Sequence, residues 1–182
     1  MHADWLIEPF HRSCHDRADF SCGNKALDDY LHKHASPAQR SRSAAIFVIH
    51  HPADPIVRGY YSLSNTTIHP ADLPEDLKRR FRVTPVPATL LGRMAVDSRF
   101  QGKGLGKKLL YNALARAAKL SADSGSMAVV VNAIDSDARR FYLERSFIEL
   151  QDDPNHLFIP MATIRALDLP DVPMASSQPR DG

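Results

Sequence analysis

The spacing of apolar residues changes several times along the chain, and each change marks a predicted element. Residues 5–10 mix apolar positions with Glu8 and reach Pro9, which fits an edge strand. After a turn at 20–24, Leu27, Tyr30, Leu31 and His34 recur at helical spacing, so a helix is predicted to about Ala35, where Pro37 interrupts it. Residues 44–50 form a continuous apolar run with β-branched centres. Residues 56–68 resume the strand pattern after a Pro-Asp turn, and the two runs are expected to pair antiparallel. Prolines 70, 74, 85 and 87 break the next stretch, whose middle, 75–81, is predicted as one short basic helix. Residues 89–96 read as a short buried strand. Leu105, Leu109, Ala113 and Ala117 then repeat every four residues and predict a helix to about Ala122. A strand at 127–131, a helix at 138–145, strands at 147–150 and 156–160 and a closing segment at 163–169 follow. Residues 170–182, rich in Pro, Ser and Asp, are expected to be a disordered tail.

This order, strands followed by strand–turn–helix–strand–helix–strand–strand, predicts an α+β fold with a parallel crossover around 89–131. A chain of 182 residues with 43% hydrophobic and 24% charged content suits one domain with a real core. No apolar run approaches the roughly 18 residues of a membrane span. The first ten residues lack the basic start and apolar core of a signal peptide. Cys14 and Cys22 are too few for a disulfide scaffold, so a reducing, cytoplasmic setting is expected. His11, Cys14, His15 and Cys22 do not have the short paired spacing of a zinc site, and no metal is expected. The net charge is only +2, but Lys78, Arg79, Arg80 and Arg82 cluster, as do Arg139 and Arg140. Clusters of this kind are solvated faces or contacts to a phosphate-rich partner.

The chemistry centres on Gln101-Gly102-Lys103-Gly104-Leu105-Gly106, where a strand turns into a helix. Alternate glycines bare the backbone N–H groups at the positive end of a helix dipole, a nest for phosphate or pyrophosphate. The spacing is neither that of a P-loop nor that of a dinucleotide fingerprint. It fits Q-x-x-G-x-G, and it resembles the acetyl-CoA pyrophosphate loop of the GNAT N-acetyltransferases. That resemblance implies a mixed, mostly antiparallel sheet flanked by helices, one acetyltransferase domain over 1–169, and acetyl-CoA as cosubstrate. It also implies that the backbone of Met94, Ala95 and Val96 pairs with the pantetheine arm like an added strand.

The stretch 135–147 (DSDARRFYLERSF) resembles the family's N-x-x-A-x-x-F/W-Y segment at Ala138, Phe141 and Tyr142. Asp135 stands where asparagine is usual. Ser146 stands where glycine ends the helix, at a left-handed position costing about 1 kcal/mol. The resemblance makes Tyr142 the general acid, and the chemistry agrees. Transfer from a thioester expels a thiolate whose acid has a pKa near ~8.5, and a phenol near ~10 can protonate it as it leaves. Neither step requires a metal. Packing beside Phe141 in the core is the alternative role for Tyr142.

Further blocks, at 20–31 (FSCGNKALDDYL), 59–64 (GYYSLS), 85–87 (PVP) and 91–97 (LGRMAVD), resemble the TacT-like GNAT toxins of type II toxin–antitoxin modules. That likeness spans roughly residues 5 to 165. It implies acetylation of the α-amino group of aminoacyl-tRNA, which blocks translation. It also implies a homodimer, a ribbon-helix-helix antitoxin, and operator DNA bound through the antitoxin complex. Arg79, Arg80, Arg82 and Arg93 become candidates for tRNA phosphates. An α-amino group has a pKa of about 7.7–8.0, so a strong base is dispensable; His50, His51, His69 and His156 are all candidates, and the sequence does not select among them. The rival readings are a GNAT enzyme acting on a small amine or a protein, and a non-catalytic GNAT module.

Overall fold

The computed structural model describes residues 4–173. One seven-stranded sheet runs through them in the order β1-β2-β3-β4-β5-β7-β6. The strands are β1 (Leu6–Pro9), β2 (Ala45–His50), β3 (Gly59–Ile68), β4 (Val86–Val96), β5 (Ala128–Asn132), β6 (Ile148–Glu149) and β7 (His156–Pro160). Every neighbouring pair is antiparallel except β4 and β5, which are parallel. A parallel pair needs a crossover, and helix α4 (Leu105–Ser124) supplies it.

The two sheet faces are covered differently. On one face, α4 buries Leu105, Leu109, Leu110 and Leu114 against Ile49, Tyr61, Leu91 and Val131, with Tyr142 of α5 (Ser136–Leu143) and Ile164 of α6 (Met161–Arg165) completing that core. The other face carries two separate layers. Helix α1 (Lys25–Asp29) and the turn after it pack Leu27, Tyr30 and Leu31 on Ile46, Val48 and Tyr60. Further along, Leu73, Leu77 of α3 (Glu75–Lys78) and Phe81 pack on Val130, Leu150 and Phe158. A groove remains between these layers.

Several details depart from the pattern-based expectation. The helix expected over 75–81 ends at Lys78, and the strand expected over 89–96 begins at Val86. The first helix does not stop near Ala35. It passes through a π turn, Tyr30–His34, into α2 (Ala35–Arg40), with the Ala35 N–H donating to the Tyr30 carbonyl. This change of hydrogen-bond register accommodates Pro37, which would clash with the carbonyl four residues back in a continuous α-helix. The strand expected from Ile56 starts at Gly59; Ile56 makes only an isolated bridge to Asp16. The first residues of the expected tail are packed: Val172 is 1% exposed, Arg116 donates to the Pro173 carbonyl at 2.9 Å, and Lys119 pairs with Asp171 at 2.6 Å. Residues 174–182 of that tail lie outside the described residues.

Helix α5 ends as its sequence predicts. Ser146 adopts φ 70°, the left-handed conformation that glycine takes without strain. Ser146→Gly is expected to stabilise the protein by about 0.5–1 kcal/mol, since relief of strain is partly offset by the greater chain entropy of an unfolded glycine. Thermal unfolding would show a rise of about 1–4 °C; a fall would mean that the serine contributes a contact outweighing its strain.

Candidate active site

Strands β4 and β5 pair only from Thr89/Val129 to Leu91/Val131, and β5 ends at Asn132. β4 continues as residues 92–96, held on one side only, by β3. A β-bulge marks the parting. Ser62 faces Arg93 and Leu63 faces Leu91, so Gly92 is the extra residue, and the Ser62 hydroxyl accepts the Arg93 N–H at 3.0 Å. Bulges bend the strand that carries them. A Cβ on Gly92 would lie 3.2 Å from the Ser62 hydroxyl, which favours glycine here. The free edge of 92–96 leaves alternate backbone groups open to an extended ligand.

Two cavities meet at this fork. One, of about 500 Å3, opens on the side of α4 and α5; the other, of about 570 Å3, is the groove between α1 and the segment around His69. Asn24, Leu27, Gly92, Arg93, Asn132 and Ile134 line both. A substrate in each would therefore meet across the fork.

Met94, Ala95, Val96, Gln101, Gly106 and Asp135, all expected at the cofactor, line the first cavity. Gly102 and Gly104 have φ 74° and 82°, and a Cβ on either would meet nothing within 4 Å. Glycine is needed there for its backbone conformation. Gly104 is the N-cap of α4 and provides no side-chain cap, so first-turn N–H groups of that 20-residue helix stay available for an anion. Leu105 is buried in the core and contributes packing. Lys103 lies over the Phe100 ring at 4.9 Å. The Gln101 amide is turned inward, donating to the Cys22 and Val96 carbonyls at 2.9 Å each; its side chain fastens the loop. Asp135 accepts the Ala138 N–H at 2.7 Å and caps α5, a role that aspartate fills as well as asparagine.

Tyr142 combines both roles considered for it. Its ring packs between Phe141 and Phe147, at 5.3 and 5.2 Å, and the residue is 7% exposed, yet it lines the first cavity. Burial raises its pKa, so the phenol is protonated at neutral pH but is a weaker proton donor than a free one. Cys22 lines the same cavity, but burial and a hydrogen bond with Asp28 push its thiol up to about 11, so it is a poor nucleophile. Arg93 lies at the junction with its guanidinium 3.9 Å over the Tyr30 ring. Arg79, Arg80 and Arg82 are exposed and line neither cavity. They follow α3, whose Leu77 packs on the sheet face that floors the groove.

The structure regroups the histidines. His15 joins neither cysteine; it meets Glu8 at 3.0 Å, and His50 meets the same oxygen at 2.9 Å. His15 Nδ1 accepts the His11 N–H, so its proton sits on Nε2 and faces Glu8. This is a hydrogen-bonded charge cluster on the edge strands, because His15 presents a proton where a metal would need a lone pair. Asn24, Asn132 and Phe141 were not anticipated as lining residues. Gly92 carried the only sequence signal, a glycine inside a strand pattern, which marks a bulge.

The loop is held from below by Asp97, which is 1% exposed. Its carboxylate accepts two bonds from the Arg99 guanidinium at 2.8 Å, one from the Arg99 N–H at 3.0 Å and one from the Ser21 N–H at 3.3 Å. The Arg99 bonds, resisted by burial, lower its pKa. A lowered folded-state pKa stabilises above the unfolded carboxylate value, and that contribution disappears as pH falls through the folded value. Asp97→Asn should cost about 2–3 kcal/mol at pH 7, with the difference from wild type shrinking below about pH 4. Denaturant melts across that range test it; a pH-independent difference would remove the charge from the account.

A family model described as an acetyltransferase (GNAT) domain matches residues 84–164. The tRNA-acetylating toxin of Mycobacterium tuberculosis is 38% identical over 84% of this chain and 90% of its own length. A probable toxin TacT of Sinorhizobium fredii is 31% identical over 89% of this chain and 94% of its own. The structure of AtaT complexed with acetyl-methionyl-tRNAfMet superposes with a TM-score of 0.83 at 28% identity, covering 90% of this chain and 98% of that one. Other similar structures show AtaT with the C-terminus of the antitoxin AtaR, with and without acetyl-CoA, and KacTA with DNA. The fold, the forked sheet and these similarities together establish that the chain belongs to the GNAT-family tRNA-acetylating toxins.

Proposed function

We propose that this protein transfers acetyl from acetyl-CoA to the α-amino group of aminoacyl-tRNA and so stops translation, with Tyr142 as the general acid. The observation that carries this reading is the fork: a free strand edge, a glycine loop and a protonated tyrosine on one side, and a separate groove opening onto the same gap. The residues present fit acetyl-CoA. Residues 92–96 offer unpaired backbone groups to its arm, and the α4 N-terminus offers N–H groups to its pyrophosphate.

When bound, acetyl-CoA supplies an activated acetyl group and a thiolate leaving group. Tyr142 donates its phenolic proton to the departing sulfur. A backbone N–H of the free β4 edge would serve as the donor to the thioester oxygen as charge builds there. The raised thiol pKa of Cys22 favours direct transfer over an acyl-cysteine route. On the acceptor side, the groove carries Asp72 and Asp152, which suit an ammonium, and the arginines beyond it suit phosphates. An α-amine joined to a phosphodiester-linked polynucleotide matches both, whereas a free polyamine matches only the first.

The relatives support the partners. A tRNA acceptor suits an enzyme working in the cytoplasm. An antitoxin tail covering the cofactor cleft or the basic face would neutralise it, as a ribbon-helix-helix protein that carries the complex to operator DNA. A homodimer would join two such basic faces.

Labelled acetyl-CoA with charged and deacylated tRNA in parallel tests the activity: label is expected on charged tRNA only, and label absent from both would refute it. Tyr142→Phe should lower kcat by about 10²–10⁴-fold while leaving acetyl-CoA affinity by calorimetry unchanged. Loss of cofactor binding instead would assign the tyrosine to packing alone. Replacing Arg79, Arg80 and Arg82 by alanine should weaken tRNA binding and reduce the salt dependence of log K by about 0.7–0.9 for each phosphate no longer neutralised. An unchanged salt slope would put the tRNA on another surface.

A further inference from the structure

The structure separates four histidines that the sequence leaves equivalent. Each ring nitrogen's partner decides which nitrogen holds the proton. His51 and His69 each accept a backbone N–H at Nδ1, from Ala53 and Ala71, both at 3.1 Å. Their protons therefore sit on Nε2, and the outward nitrogen is a donor. His50 faces two carbonyls with Nδ1 and Glu8 with Nε2, so both of its nitrogens are engaged. His156 is the exception. Its Nδ1 lies 2.7 Å from the Asp152 carboxylate, so Nδ1 donates and Nε2 keeps a free lone pair.

His156 also lies beside the end of β5, whereas His69 lines the far wall of the same groove. His156 is the register partner of Asn132, the last residue of β5, and it lines the acceptor-side groove with Gly92 and Arg93. The other ionisable groups lining that groove are His69, Asp72 and Asp152. Burial raises the Asp152 carboxyl, but the His156 hydrogen bond and charge outweigh it, so Asp152 remains the anionic partner of the ring.

We infer that His156, oriented by Asp152, is the base that takes the proton of the acceptor amine. As nitrogen attacks the acetyl carbonyl, the N–C bond forms and the C–S bond breaks. One amine proton passes to His156 Nε2, directly or through one water, and the Tyr142 proton passes to sulfur. The products are the amide and the free thiol; His156 then loses a proton to solvent and Tyr142 regains one. Asp152 is a positioning residue, holding the ring in the tautomer that leaves Nε2 bare. The inference rests on the acetyltransferase reading and specifies its acceptor side; it holds for whichever amine is acetylated.

The test compares wild type, His156→Gln and Asp152→Asn over pH 5.5–9, with acetyl-CoA and charged tRNA. At low pH, log(kcat/KM) for wild type should climb with a slope approaching about two, since the base and the amine both lose a proton. In His156→Gln only the amine titrates: the slope should fall to about one, and the plateau should drop about 10²-fold. Asp152→Asn should lie between them. Parallel profiles would overturn the assignment and leave His156 a structural role. If wild type acetylates another amine and no charged tRNA, the tRNA reading fails, and the slopes are measured with that amine. An independent check is long-range 1H–15N correlation of the imidazoles in unliganded wild type. The proton of neutral His156 is expected on Nδ1; finding it on Nε2 would refute the inference even if a variant failed to fold.

Discussion

The molecule is organised by a parallel strand pair that cannot continue. β4 and β5 share three register positions, and the bulge at Gly92 then turns β4 away while β5 ends at Asn132. Antiparallel pairing to β3 continues across the bulge, so the sheet loses no connectivity on that side. The result is an unpaired edge inside the protein, which costs free energy unless water or a ligand satisfies it. On the function proposed above, an extended cofactor arm would satisfy it. The same divergence opens the sheet to both faces, so two substrates can approach one gap from opposite layers.

Position in the fold then divides the electrostatics. The cofactor side has one helix N-terminus with its first turn open, beside a buried phenol and a half-buried thiol that both stay protonated. The acceptor side is lined by carboxylates and imidazoles, and the Arg79, Arg80 and Arg82 guanidinium groups stand outside it. On the proposed reading, a phosphate chain would be met by the outer arginines and an amine by the groove, which Arg93 also lines. Asp97 and Gln101 connect the two sides, fastening the glycine loop to the turn that begins α1. A change in the loop is therefore felt by the N-cap Asn24, which lines both cavities.

How much of this was legible in the sequence depended on the range of the interaction. The glycine loop and α4 were legible because backbone conformation and apolar period are local. Ser146 was legible for the same reason: a helix must end, and the end demands a left-handed residue. The passage through Pro37 was not, because a π turn leaves no compositional mark. Nor was the packing of the segment around Val172, whose partners Arg116 and Lys119 lie more than fifty residues earlier in the chain. The second cavity was also hidden. It is built from α1, the segment around His69 and the β6–β7 connection, which only the sheet brings together.

The histidines show a different limit: their Nδ1 partners lie only two to four residues away, yet the sequence does not say which neighbour the backbone brings to the ring. In sequence they differ only in their neighbours, and no neighbour says where a proton sits. The fold decides by supplying a donor or an acceptor at Nδ1. A backbone N–H at His51 and His69 makes the outer nitrogen a donor; a carboxylate at His156 makes it an acceptor. The carboxylate reaches His156 because Asp152 lies four residues before it, across the tight turn that joins β6 to β7. That turn is itself pinned by the Gln151 N–H, which donates to the Asp72 carbonyl at 2.7 Å. The connection between β6 and β7 therefore has a chemical consequence: through Asp152 it sets the tautomer of a residue that lines the acceptor-side groove.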